Sequence, residues 1–145
     1  MGRIDTHTPR LLAVWRSFLT LPRWVQVWVA LILFPANMAS LLFLDTWAGV
    51  AAAWAFAFVC LTNFPIMFSE RGLGRLMAIP HLFAWIPLQV LLVMRLQGDV
   101  GGLPPEVREQ TFILALLVIN GISLVFDLLD TARWLRGERD IPGHA

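Results

Sequence analysis

The sequence predicts an all-α membrane protein, a four-transmembrane-helix bundle with an N-terminal interfacial amphipathic helix, on three observations. Of its 145 residues, 58% are hydrophobic and only 14% charged, far from the balance of an ordinary soluble domain. Four stretches, about 24–44, 47–68, 76–94 and 111–129, each hold the roughly 20 apolar residues needed to cross a bilayer core, and Asp127 is the one formally charged residue among them besides His81. None alternates polar and apolar residues, so the spans must satisfy their backbone groups as helices rather than as barrel strands.

Residues 1–23 form the N-terminal region. Thr8 and Pro9 make a helix start, a capping hydroxyl followed by proline at the first helical position. Leu11, Leu12, Trp15, Phe18 and Leu19 then recur at helical spacing, opposite Arg10, Arg16, Ser17 and Arg23, as expected for a helix lying on a leaflet surface. Pro22 separates it from the first span, where Trp24 and Trp28 suit an aromatic belt. This region and the first span are expected to be retained rather than cleaved as a signal sequence.

The transmembrane domain covers residues 24–136, its last helix continuing to about 136, and residues 137–145 form a tail. Leu44, Asp45 and Thr46 leave room only for a tight antiparallel turn between the first two spans. The second span carries Gly49, Ala53 and Ala57 at four-residue spacing, with Ala48, Ala52, Ala51 and Ala55 beside them; small residues so placed let helix backbones approach closely. Gly101, Gly102, Pro104 and Pro105 mark the longer loop before the last span.

All 11 positive side chains are Arg and the net charge is +1. With the N-terminus inside, nine Arg fall in the cytoplasm and two, Arg95 and Arg108, outside, the asymmetry that the positive-inside rule favours. The expected location is therefore a bacterial inner membrane, with both termini cytoplasmic. These Arg residues are accounted for by topology and headgroup contact, so no nucleic-acid partner is expected.

Polar groups inside hydrocarbon are costly and are the informative residues here. Counted from cytoplasmic boundaries at Arg23, Glu70, Arg75 and Trp134, Asp127 and Asn63 lie seven residues deep and His81 six, an inner layer at about 10 Å. Asn37, Gln89 and Asn120 each lie fourteen residues deep, an outer layer near 21 Å, by rough count just past the midplane. Asn120, Ser123, Asp127, Asp130 and Trp134 form one helical stripe that should face the bundle interior. Pro35 and Pro65 stand beside Asn37 and Asn63, and Pro80 and Pro87 flank and interrupt the third span; each proline frees a carbonyl one turn earlier. These layers can line a route for a proton, a cation or a small polar molecule, with Asp127 and His81 as its titrating pair. Alternatively they are interhelical hydrogen bonds that hold the bundle together.

No HExxH pattern, GxSxG elbow, glycine-rich phosphate loop or Cys/His cluster is present, so the chain is expected to be no enzyme and to carry neither metal nor cofactor. A b-type haem would need His81 from two subunits. Cys60, the lone cysteine, reads as a packing residue. The string Leu44-Asp45-Thr46-Trp47-Ala48-Gly49-Val50 resembles the start of the last helix in some tryptophan-rich sensory (translocator) proteins, five-helix membrane proteins that bind porphyrins and sterol-like ligands. That resemblance covers seven residues and stops there, so nothing is carried over from it.

The leading expectation is a protein that moves or senses a small polar or ionic solute through a route between the third and fourth spans. Four helices enclose little volume, so a homo-oligomer is expected, a dimer first. The rival is a structural or accessory subunit of a larger membrane complex, docked by its small-residue face. A third possibility is a receptor for a small apolar ligand held among Trp28, Trp54, Phe83 and Trp85.

Overall fold

The computed structural model describes residues 8–144; Arg3, counted above among the N-terminal charges, and the last tail residue, Ala145, lie outside them. Every regular element among the described residues is helical: α1 (Arg10–Thr20), α2 (Arg23–Leu42), α3 (Trp47–Glu70), α4 (Arg75–Gln97) and α5 (Val107–Leu135). Helices α2 to α5 are each long and apolar enough to cross a membrane, and each turns large apolar side chains outward, among them Leu31, Leu61, Phe83 and Val118. This is the architecture of a multi-pass membrane protein.

Pro9 and Pro22 hold the cap positions of α1 and α2 in extended backbone, at φ −54°, ψ 139° and φ −53°, ψ 141°. Helix α1 thus begins at Arg10, one residue later than the Thr8-Pro9 pair suggests, and the carbonyl of Thr8 instead accepts a hydrogen bond from Arg71. Between α1 and α2 the Gln26 amide donates to the carbonyls of Leu19 and Leu21, covering acceptors that the chain break leaves without helical partners.

Helix α2 is irregular for a reason the sequence supplies. Pro35 has no N–H and its ring crowds the preceding turn, and the chain responds by widening: Trp28–Leu33 is π-helical, with the Phe34 N–H reaching back to the Val29 carbonyl. The last turn tightens to 3-10 geometry over Ala39–Leu42, and the span ends two residues before the expected 44. Thr46 then caps α3: its hydroxyl accepts from the Gly49 N–H at 3.0 Å and donates to the Phe43 carbonyl at 2.8 Å.

Helices α3 and α4 outrun the expected 47–68 and 76–94, while the last helix, α5, begins at Val107, before the expected span at 111, and ends at Leu135, close to the expected 136. Arg71 closes α3 in the left-handed conformation (φ 57°), and Gly98 (φ 85°) closes α4. Helix α5 packs most extensively on α4 and also touches α2 and α3. The core between them consists of Ala48, Ala52, Val59, Trp85, Leu88, Leu92, Phe112, Ile113 and Leu116. Gly49 lies against the Phe43 backbone, whereas Ala53 and Ala57 are half-buried; the small residues fully enclosed in the core are Ala48 and Ala52.

Both described termini lie at the same end of the bundle, together with the α3–α4 turn. Ala13 and Ser17 of α1 are fully buried there, the Ser17 hydroxyl accepting the Leu73 N–H at 3.0 Å, while Leu11, Leu12 and Trp15 face outward. Ser17, grouped above with the outward polar side of α1, is therefore the side chain by which the helix docks on protein. From the other terminus, His144 bonds the Arg71 carbonyl at 3.1 Å and Arg75 bonds the Glu138 carbonyl at 3.2 Å.

Candidate functional site

The inner-layer residues come from three helices and meet. His81 of α4 stands between Asn63 of α3 and Asp127 of α5: the Asn63 amide nitrogen lies 2.9 Å from Nε2, and Asp127 Oδ1 lies 3.0 Å from Nδ1. The imidazole is held flat by Trp85, one turn further along α4, whose ring stacks on it at 4.2 Å and 9°. The His81 and Asp127 side chains keep 18% and 14% of their exposure, so the pair is enclosed without being sealed. Two of the oxygens here, Asn63 Oδ1 and Asp127 Oδ2, are buried with no hydrogen-bond partner among the described residues. Thr131 Oγ1, one turn from Asp127, and Glu70 Oε2, two turns from Asn63, are in the same condition. A buried polar oxygen without a partner is costly, and these four lie on the helix faces running from the triad toward the α3–α4 turn.

The outer layer is different in kind. Asn37 and Asn120 form a reciprocal amide pair, with N–H···O distances of 2.8 and 3.0 Å, and Asn37 also donates to the Leu33 carbonyl at 3.0 Å. Gln89 donates to the Leu117 carbonyl at 3.2 Å. Both asparagines are almost wholly buried and satisfied by each other. Asn37→Leu should therefore cost about 1–3 kcal/mol by stranding the Asn120 amide, and Asn37→Leu with Asn120→Leu much less than twice that. Unfolding titrations of the three proteins in mixed micelles check this; a double variant as weak as two independent losses would show that the amides do not act as a pair.

Along α5, Asn120 and Ser123 are buried, Asp127 and Asp130 half-buried. Ser123 accepts the Trp28 indole N–H at 3.0 Å, a link between α2 and α5. Asp130 pairs with Arg75 at 3.5 Å. The four aromatics considered for an apolar ligand are not gathered: Trp85 is buried on His81, while Trp54 and Phe83 point outward at 76% and 73% exposure. An open groove of about 510 Å³ lies at the α2–α3 turn, lined by Leu44, Asp45, Thr46, Trp47, Val50 and Ala51; none of the layer residues lines it.

One buried ion pair is absent from the sequence expectations, which placed Arg95 and Glu109 outside the spans. Because α4 runs to Gln97 and α5 starts at Val107, both belong to helices. Arg95 Nε and Nη2 bond Glu109 Oε1 and Oε2 at 3.0 and 2.8 Å, and Nη1 bonds the Val100 and Leu103 carbonyls at 3.2 and 2.5 Å. Glu109 Oε1 also accepts the Ala48 N–H at 3.0 Å. The pair ties the α4–α5 loop to the start of α3. A charge in the last turn of one helix and an opposite charge in the first turn of the next was the signal available for it.

Among the described residues no three His, Cys, Asp or Glu side chains gather as a metal site. Comparison with family models, curated proteins and solved structures finds no match to this chain.

Proposed function

We propose that this chain is a bacterial inner-membrane protein, with both termini cytoplasmic, that moves or senses a small ionic solute at the Asn63–His81–Asp127 chain. The observation that carries the proposal is that carboxylate, imidazole and amide, each from a different helix long and apolar enough to cross a membrane, bond in sequence. Carboxylates and imidazoles are expensive in hydrocarbon and recur there in ion and proton pathways. Solute reaches the triad from the Arg75 end, where the unpartnered oxygens lie, while the Asn37–Asn120 pair closes the bundle on the far side. Its α1 helix rests Leu11, Leu12 and Trp15 in the leaflet surface, and a homodimer supplies the volume that four helices lack.

Purified protein in liposomes loaded with a pH- or cation-sensitive dye should give flux above protein-free vesicles, and Asp127→Asn should bring it down to the vesicle background without unfolding the bundle. Wild-type flux equal to that background ends the transport reading. A second reading is favoured by the closed Asn37–Asn120 pair: an accessory subunit whose polar groups serve packing. It expects co-purification with one larger partner from native membranes, lost when bulky side chains replace Ala53 and Ala57.

A further inference from the structure

We propose that Asn63, His81 and Asp127 form a single-proton site in which the Asn63 amide turns over as His81 Nε2 gains or loses its proton. This rests on His81 and Asp127 being the working pair, and not on transport.

An amide nitrogen only donates, so an Asn63 nitrogen 2.9 Å from Nε2 requires a bare lone pair there. The one ring proton then sits on Nδ1 and is donated to Asp127 Oδ1 at 3.0 Å, a bond that is strongest when Asp127 is a carboxylate. In the proposed resting state the triad holds a neutral imidazole and a buried carboxylate. A proton arriving from water adds to Nε2. The ring either keeps both protons, as imidazolium beside carboxylate, or passes the Nδ1 proton to Asp127, leaving a neutral ring and a carboxylic acid. Both outcomes remove the net buried charge, and both leave an N–H on Nε2 that an amide nitrogen cannot accept.

Asparagine resolves this conflict because its two ends have nearly the same shape and opposite roles. A half-turn of the amide puts Oδ1 where the nitrogen was, trading N–H···Nε2 for Nε2–H···O. Among the described residues Oδ1 has no partner to hold it where it is, so the turn breaks one hydrogen bond and makes one. The ring itself is kept from turning by the Trp85 stack and the Asp127 bond, so the amide is the part free to move. With both ring nitrogens occupied by protein groups, the species exchanged is a proton rather than a metal ion.

Among the described residues, Asp127 is the one charged group bonded to His81. Of the charges nearby, Asp130 of α5 and Glu138 of the tail are paired with Arg75 of α4, Glu70 ends α3, and α2 brings only the Trp28 indole N–H to Ser123.

Histidine labelled with ¹⁵N in a His7→Gln, His144→Gln background leaves His81 as the one imidazole, and solid-state NMR in bilayers reads each ring nitrogen. At high pH the neutral ring should carry its proton on Nδ1 alone. As pH falls, Nε2 should gain a proton and the Asn63 side-chain amide resonance should shift over the same interval. A neutral ring protonated on Nε2, a ring that never titrates, or an amide resonance that stays still while the ring titrates each overturns the site. Absent liposome flux with this signature intact would remove transport and leave the proton site standing.

Discussion

Arg95→Met should destabilise the bundle by about 3–5 kcal/mol, because it strands the Glu109 carboxylate in a buried place. Arg95 and Glu109 side chains are each only 6% exposed, so water cannot take over from the lost partner. Two loop carbonyls, those of Val100 and Leu103, lose their donor in the same step. Glu109→Leu should be comparably harmful, since it leaves the guanidinium unpaired and frees the Ala48 N–H. The double variant should recover much of the loss, as apolar replacement of a whole buried pair is often close to neutral, though the Ala48 N–H and the two loop carbonyls remain without partners. Reversible unfolding in mixed micelles measures all three. Arg95→Met within about 0.5 kcal/mol of wild type, the range of surface substitutions, would mean that the pair is solvated and holds nothing.

Gly49→Ala should cost about 1–3 kcal/mol, at the upper end of that range, from overpacking. A Cβ at Gly49 would stand 1.9 Å from the Phe43 carbonyl oxygen and 2.4 Å from its carbon. Those atoms are backbone and belong to the turn that Thr46 caps, so relief requires the α2–α3 hairpin to open. The same substitution at Gly121 provides the control: its nearest neighbour would be the Gln89 amide nitrogen at an ordinary 3.7 Å, and in a helix alanine gains up to about 1 kcal/mol over glycine. Equal effects at the two positions would show that the close approach at Gly49 is not a constraint.

Much of this molecule is legible from its residues because the bilayer makes the problem one-dimensional. Helical rise is constant, so depth follows from counting, and counts of six and seven residues bring His81 and Asp127 to the level at which their side chains lie 3.0 Å apart. Counting says nothing of rotation about the axis. Four-residue spacing marks both Gly49-Ala53-Ala57 and Ala48-Ala52 on α3, yet only a neighbour's position decides that Ala48 and Ala52 enter the core. The same ambiguity hides the docking side of α1, where periodicity separates two faces without saying that the small one, Ala13 and Ser17, meets protein. Arg95 and Glu109 escape notice because a hydropathy window ends a span at its first charge, although a charge that finds its opposite can stay inside the helix.

The widened turns of α2 have a geometric consequence. Trp28 and Asn37 both bond α5, at Ser123 and Asn120, but they are nine residues apart, about two and a half turns of a regular α-helix. Uniform winding would aim them in opposite directions. A wide turn takes up an extra residue and so shifts the angular phase of everything beyond it by about 100°, which swings the asparagine back toward the helix that the tryptophan already touches. The proline that spoils the regularity of α2 is thus what allows one helix to grip another at two heights.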